Sequence, residues 1–584
     1  MTPAPRPRRE WHSLPLPLAL LELRRQRQLL RAHNLYDAHG GARPPEPVRE
    51  LLPHRSYDGS GSCPSDAAMG RAGTRFDRNC ALPQAFPEPE DDGLFSPSPR
   101  EVSRRLLART AGFRPAPMLN LLAAAWIQFQ QHGWFHHGTR PSGPPLDVPL
   151  AADDDWPQCP MLLRRTLPDP AGPAGASLPP AYANAVTHWW DGSQIYGSSE
   201  EQCRALRTGE GGKLAVVDGR LPDEERAGLS GIDRTGFNED YWAGLSLLHT
   251  LFAKEHNAIC DRIASARPTW GDERLFQTAR LVVTAVMAKI HTVEWMPAVV
   301  DRPVTRAAMH LDWYGVLPAR LRRRVRRFGR GETLFGIPGS PTRHHTAPYA
   351  MTEESVAAHR LHPMIRDEYE IRSHLTGDLV ERTDFDPLQA LATRKAVERW
   401  GTADLLYSFG TMHAGDITLH NHPDCLRELV RVSGERIDLG TVDVLRDRER
   451  GVPRYTALRA ALHRPPVRSF GELTGGDAAL AGELREVYGG RLERVDTMVG
   501  LYAEPRPHGF AFSDTAFRML ALMTARRLKS DRFFTTCYRP EIYTAEGLEW
   551  VDRTSMGDVL LRHHPELAPA LEGARNVFAP WRLL

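Results

Sequence analysis

The stretch Leu119–His137 reads LNLLAAAWIQFQQHGWFHH, and its reading decides the fold class. Leu121–Ile127 is a strongly helix-forming apolar run, and the pattern predicts a helix over Met118–His136. Gln128 and His132 stand four residues apart inside that pattern, so one helix face carries both. Polar groups on an otherwise buried helix need partners or a ligand. A histidine in this setting has two readings. It is a satisfied core residue, or it is a neutral imidazole that takes up and returns a proton near physiological pH.

Working outward, the other long periodic segments are also helical: Arg100–Ala108, Asp240–Ala266, Asp272–Val299, Asp386–Phe409 and Ser513–Lys529. Ser513–Asp514 reads as the N-cap of the last of these. Runs with β periodicity are few and short. Gly211–Leu221 (GGKLAVVDGRL) is a hairpin candidate with Asp218–Gly219 as its turn. The expected fold is mainly α, with a few short strands. One large domain over 61–584 follows an N-terminal arm, 1–60, that carries an amphipathic helix near Leu16–His33.

Composition narrows the functional classes. The chain has 584 residues and is 41% hydrophobic, enough for a large core. Its formal net charge is +2, which argues against a nucleic-acid partner. The seven cysteines are odd in number, scattered, and form no CxxC pair, which argues against a disulfide framework or a zinc or iron–sulfur site. The apolar part of the N-terminus is broken by Pro15 and Pro17 and runs into Glu22, Arg24 and Arg25, so it does not read as a signal peptide. No window reaches the length of a membrane span. A cytoplasmic location is expected. The helix near Leu16–His33 leaves peripheral membrane contact open as the alternative to core packing.

Further segments carry chemistry. THWWDGSQIYGSSE at Thr187–Glu200 offers oxygen donors at Thr187, Asp191 and Ser193 that suit a hard cation, although Asp-Gly-Ser is also an ordinary turn. SVAAHRLHPMIR at Ser355–Arg366 places His359 and His362 on one helical face. GLSLLHTLFAKEHNA at Gly244–Ala258, AKIHTVEW at Ala288–Trp295, RDRERGVPRY at Arg446–Tyr455, SDRFFT at Ser530–Thr535 and YTAEGLEWV at Tyr543–Val551 follow in order. Together with NLLAAAWIQF and WWDGSQIYG, this collinear set resembles the peroxidase–cyclooxygenase superfamily of haem proteins. Within it, the set looks most like the fatty-acid α-dioxygenases.

The resemblance implies a helical haem peroxidase/cyclooxygenase-like domain with a non-covalent b-type haem. It makes His132 the distal histidine, with Gln128 beside it to orient water or peroxide. His362 becomes the proximal iron ligand and Asp443 its hydrogen-bond partner. It maps a substrate-carboxylate grip onto His291, Met296 and Arg532, and a calcium site onto Thr187, Trp189, Asp191 and Ser193. Gln131 stands where covalently linked relatives carry an Asp, which excludes an ester to haem at that point.

Three positions depart from the family pattern. His359 replaces the tyrosine whose radical removes hydrogen from the fatty acid. Gly133 replaces an anionic cation ligand, so calcium is not expected. Met296 replaces a threonine and cannot hydrogen-bond a carboxylate. These changes touch function and spare the scaffold. The expected activity is a haem peroxidase or oxygenase that uses O2 or peroxide on a non-standard organic substrate, with His132, Gln128 and His359 as the catalytic set. A fatty-acid α-dioxygenase making 2-hydroperoxides is the alternative, with the radical moved to a residue such as Tyr349 or a Trp. A haem-binding protein without turnover is the third reading.

Overall fold

A computed structural model describes residues 10–38, 44–169, 177–317 and 332–584. The elements that build the site are helices α1 (Leu16–His33), α2 (Leu121–Gln131), α3 (Ala243–Ala266), α4 (Asp272–Ile290), α5 (Pro303–Tyr314), α6 (Glu353–Ala358), α7 (Leu439–Glu449) and α8 (Asp514–Ser530). The β-structure among the described residues is limited to two-stranded antiparallel ribbons and isolated bridges. The fold is a mainly helical domain.

Helix α2 is apolar on nearly every side, and residues 121–127 are all buried. It packs against α3, which packs in turn against α4. A helix that is apolar all round belongs inside a large protein, not on its surface. Helix α4 does not stop at Ile290. It runs through a π-turn, His291–Trp295, into a further helical turn, Met296–Val299. A π-turn inside a buried helix adds a residue to the turn and re-aims the side chains that follow, and such turns concentrate at functional sites.

Three local readings need correction. Met118–Asn120 is not helical. Pro115–Asn120 is a strand paired antiparallel with His413–Gly415. The helix begins only after Asn120, whose backbone is extended and whose side chain caps the Ala123 N–H. His359 and His362 do not share a helix face. Helix α6 ends at Ala358, and His362 opens a separate 3-10 turn that continues through Pro363. Asp386–Phe409 contains two helices, Thr393–Trp400 and Thr402–Thr411, separated at Gly401 with φ +78°. The Asp218–Gly219 turn is formed, with both residues at positive φ and the Val217 and Arg220 backbones bonded to each other.

The N-terminal helix is tied to the rest of the chain. Helix α1 packs on α5 and α8. Just before it, Trp11 is fully buried, stacks on Phe517 at 5.0 Å, and donates its indole N–H to Asp514. Leu16, Leu18 and Leu21 remain exposed. Among the described residues no helix is long and apolar enough to cross a membrane.

Asn120 joins the start of α2 to the C-terminal segment. Its buried amide donates to the carbonyls of Gly410, Val577 and Ala579 at 3.2, 2.7 and 2.9 Å. Asn120→Ala removes the helix cap and these bonds, although Trp581 still donates to the Gly410 and Val577 carbonyls, and it is expected to lower unfolding stability by roughly 1–3 kcal/mol in denaturant titration. Asn120→Asp, which keeps the cap but cannot donate, is expected to be destabilised as well.

Candidate active site

His132 sits at the C-cap of α2, one helical turn beyond Gln128, and its backbone N–H bonds the Gln128 carbonyl at 3.0 Å. The imidazole packs on Phe237 with ring centroids 4.8 Å apart. Its Nδ1 is buried and has no hydrogen-bond partner, so Nε2 is the nitrogen left to meet a ligand. Burial lowers its pKa to about 4, so the ring is neutral at physiological pH and able to accept a proton.

Gln128 is not available in the way expected. Its Oε1 accepts from the Trp242 indole at 2.7 Å and its Nε2 donates to the Asp240 carbonyl at 3.2 Å. Both ends of the amide are engaged in fixing the N-terminus of α3. Gln128 therefore braces the distal helix, and only its second N–H and second lone pair are left for water or peroxide. Gln131 donates to the His359 carbonyl at 2.9 Å and joins the distal helix to the segment that carries the two later histidines.

On that segment His362 Nδ1 lies 2.7 Å from Asp443 Oδ2, and the imidazole side chain is 31% exposed. Asp443 also forms an ion pair with Arg360, which reaches Asp447 at 3.0 Å. Burial alone would raise the Asp443 carboxyl, but Arg360 and His362 outweigh it and hold the pKa at about 2. The carboxylate therefore stays ionised, and it fixes the His362 ring with Nε2 open. The nearby His422 ring lies 5.7 Å away, and burial lowers its pKa to about 4. The turn is held from behind by Arg109, which donates to the carbonyls of Pro363 and Ile365 and pairs with Asp367 at 2.6 Å. Gly415 is required here, because a Cβ at that position would lie 1.9 Å from the Pro363 carbonyl.

The third group of residues surrounds Trp134. Its indole meets His291 at 5.3 Å, Trp190 at 5.2 Å and His359 at 5.6 Å. The Arg527 guanidinium lies 4.1 Å above it and also covers Trp190 at 5.0 Å. His291 opens the π-turn, stacks on Trp295 at 4.7 Å, and bonds Trp126 through Nδ1 at 3.3 Å. Burial lowers the pKa of His291 well below the usual histidine value, with His359 and Arg527 adding to it. Burial brings His359 to about 4.

The structure does not bring His291, Met296 and Arg532 together as expected. Arg532 is outside the cluster: its Nε and Nη2 donate to the carbonyls of Gly61 and Leu52, and Nη1 contacts Cys537. It lies beyond the end of α8 and holds the N-terminal segment in place. The guanidinium at the cluster is Arg527. It is 2% exposed, and its Nε and Nη2 find no acceptor among the described residues. Periodicity in the sequence does not single it out: Arg526 follows buried Met519 and Leu522 at the spacings by which Arg527 follows Leu520 and Met523, and both arginines are buried on α8. Met296 is buried directly after the π-turn, and a thioether there adds apolar surface without a donor.

Residues 54–578 match the animal haem peroxidase family. The chain belongs to that family. It is 35% identical to alpha-dioxygenase PIOX of Oryza sativa, covering 98% of this chain and 93% of the relative. It is also 35% identical to alpha-dioxygenase 2 of Arabidopsis thaliana, covering 98% and 91%. A solved structure of a variant Oryza sativa fatty acid alpha-dioxygenase with palmitic acid superimposes with a TM-score of 0.90 at 34% identity, covering 98% of this chain and 94% of that one. A Dictyostelium discoideum peroxidase A structure, with a TM-score of 0.70 and 21% identity over 89% of this chain and 98% of that one, shares the fold. The chain is thus an oxidoreductase of the peroxidase-like oxygenase group, and the family implies a bound haem. The residues present fit one: an imidazole fixed through Nδ1 by a carboxylate with Nε2 open, and a second, neutral histidine on α2.

The cation site implied by the same resemblance does not fit. Thr187 donates to Asp191 at 2.8 Å, the Ser193 N–H bonds the other Asp191 oxygen at 3.1 Å, and the Ser193 hydroxyl donates to the Gly133 carbonyl at 3.1 Å. The fully buried Arg280 guanidinium lies 3.9 Å from Asp191 and supplies a permanent positive charge beside its carboxylate. Trp189 is committed through its indole to the Met69 carbonyl. The Gln194 side chain occupies the space of the missing carboxylate, since a Cβ on Gly133 would fall 2.1 Å from Gln194 Oε1.

Two outcomes follow from this geometry. Elemental analysis of protein purified without chelator is expected to show sub-stoichiometric calcium. Gly133→Asp alone is expected to lower the melting temperature by displacing Gln194. Gly133→Asp combined with Gln194→Ala is expected to recover stability and to gain a calcium-dependent rise in melting temperature. The second outcome concerns acid. Burial holds His132, His188, His256, His359 and His422 near pKa 4, against about 6.5 in the unfolded chain. Between those values the unfolded state binds more protons, so this stability is complete above about pH 6.5 and declines as pH falls toward 4. Thermal unfolding scanned from pH 7.5 to 4.5 is expected to show that decline.

Proposed function

We propose that this chain is a haem-dependent oxygenase acting on a long-chain fatty acid, whose carboxylate is held by Arg527. The buried guanidinium with two nitrogens lacking acceptors is the observation that carries the reading. A buried charge without a counter-ion is costly, and a substrate carboxylate is the group that satisfies it bidentately. The relative named with palmitic acid supports the same class and favours a fatty acid over the non-standard organic substrate expected from the sequence.

In this reading His362, oriented by Asp443, holds a non-covalent b-type haem through Nε2. Gln131 supports non-covalent binding, because its amide cannot form an ester and is bonded to the His359 carbonyl. Bound haem supplies the oxidising power for O2 or peroxide chemistry. His132, neutral and open at Nε2, accepts a proton from an incoming peroxide and returns it to the leaving oxygen. His291 and Trp134 line the carboxylate end of the substrate, and Met296 contributes apolar contact.

Hydrogen abstraction is the step that His359 alters. Its Nδ1 lies 2.7 Å from the Ser355 carbonyl, and an imidazole is far harder than a phenol to convert to a neutral radical. Tyr349 supports a second reading in which the radical has moved. It is buried, stacks on Trp189 at 4.6 Å and neighbours Arg527. Its hydroxyl donates to the His188 carbonyl at 2.9 Å, however, and a carbonyl cannot take the phenol proton.

The reading is tested on haem-loaded protein with palmitate and O2. Arg527→Gln is expected to weaken palmitate binding at least tenfold with the Soret band retained, while Arg532→Gln affects stability instead. Equal palmitate affinity in wild type and Arg527→Gln overturns the assignment. His362→Ala is expected to lose haem, and His132→Ala to lower peroxide-driven dye oxidation at least a hundredfold. 2-Hydroperoxide formation is expected to be slow in wild type and to rise in His359→Tyr. If wild type forms it rapidly and Tyr349→Phe abolishes it, Tyr349 is the abstracting residue.

A further inference from the structure

The hydrogen-bond partners around Trp134 fix which proton each imidazole carries. His291 Nδ1 faces the Trp126 indole, and an indole N–H can only donate. His291 Nδ1 is therefore the acceptor, and the proton of the neutral ring sits on Nε2. His359 Nδ1 faces the Ser355 carbonyl, which can only accept. His359 Nδ1 therefore carries the proton, and its Nε2 is a bare lone pair. Burial keeps both rings neutral. Two imidazoles at one indole thus present opposite characters.

The polar inventory of the cluster follows. Its donors are Nε and Nη2 of Arg527 and the Trp134 indole N–H, all buried without a partner, together with His291 Nε2. Its one imidazole acceptor is His359 Nε2. The donors match a carboxylate. An unsubstituted fatty acid has nothing but C–H bonds to offer the acceptor, and a buried acceptor left unsatisfied by its ligand costs affinity. A phenol at position 359 would not pose this demand, because it can donate as well as accept. Arg527 and His359 both contact the same Trp134 indole, so a carboxylate held at Arg527 begins its chain beside the ring that His359 also touches.

We infer that the preferred ligand is a long-chain carboxylic acid bearing a hydrogen-bond donor on the carbon next to the carboxylate: a 2-hydroxy acid, whose hydroxyl donates to His359 Nε2. The inference rests on the fatty-acid reading above and assigns His359 a specificity-determining role in place of a radical one.

The test is equilibrium binding to the haem-loaded protein of three acids of equal chain length: palmitic, 2-hydroxypalmitic and 2-methoxypalmitic. The hydroxy acid is expected to bind at least fivefold more tightly than palmitate, and the methoxy acid no more tightly than palmitate, because it accepts but cannot donate. In His359→Phe, checked for an intact Soret band, the ratio between hydroxy acid and palmitate is expected to fall to about one. If that variant does not fold, the three-ligand comparison in wild type stands alone as the test. If palmitate binds but the hydroxy acid binds no better, or if the methoxy acid matches it, the inference is overturned while the fatty-acid reading stands. If none of the acids binds, the fatty-acid reading itself fails.

Discussion

The Asp443 carboxylate holds the site together. It is shared between the imidazole of His362 and the guanidinium of Arg360, and it lies on a helix buried on every side despite its polarity. Along α7, Asp443, Arg446, Asp447, Arg448 and Glu449 are all buried, and each has a charged partner. Arg448 pairs with Asp496 at 2.7 Å, and Asp496 also receives Arg454. Such pairs add little net stability over well-packed apolar residues, but breaking one leaves a buried charge uncompensated. Their effect is positional. They fix the rotation of α7 and therefore the direction from which Asp443 meets His362.

This arrangement also sets the electronic character of the imidazole. A carboxylate already neutralised by Arg360 is a weaker base than an isolated one. It orients the Nδ1 proton of His362 without removing it. Helix α2 contributes a histidine of another kind, half-buried beside Phe237, with no charged partner in contact and kept neutral by desolvation. The two histidines are chemically distinct because one is paired and one is not.

The Trp134 cluster gathers two neutral imidazoles and a buried guanidinium around two indoles. Cation–aromatic contacts hold Arg527 against two indoles without using all of its N–H groups, so the guanidinium is both fixed and available. The same contacts bear on oxidation, since a cation above an indole disfavours removal of an electron from it. Around Asp191, the Gln194 side chain fills the space beside Gly133, and Arg280 stands close to the carboxylate charge.

The sequence by itself determined the helical class and the family, and it named His132, His362, Asp443 and His291 as candidates. Those assignments depend on local spacing or on collinear motifs, and both survive in a one-dimensional string. The start of α2 was misplaced because Met118–Asn120 pairs with a strand nearly 300 residues away. Gln128 was assigned a free amide because its partners, Trp242 and Asp240, come from another helix terminus. Arg532 was named from the motif alone, and a run rich in cations does not say that it lies past the end of α8 while Arg527 lies within it. The tautomers of His291 and His359 depend on an indole 165 residues away in one case and a carbonyl one turn back in the other. Side-chain identity is written in the sequence. Which atoms remain unsatisfied after packing is decided only when distant segments meet, because desolvation and hydrogen-bond satisfaction are properties of the folded neighbourhood.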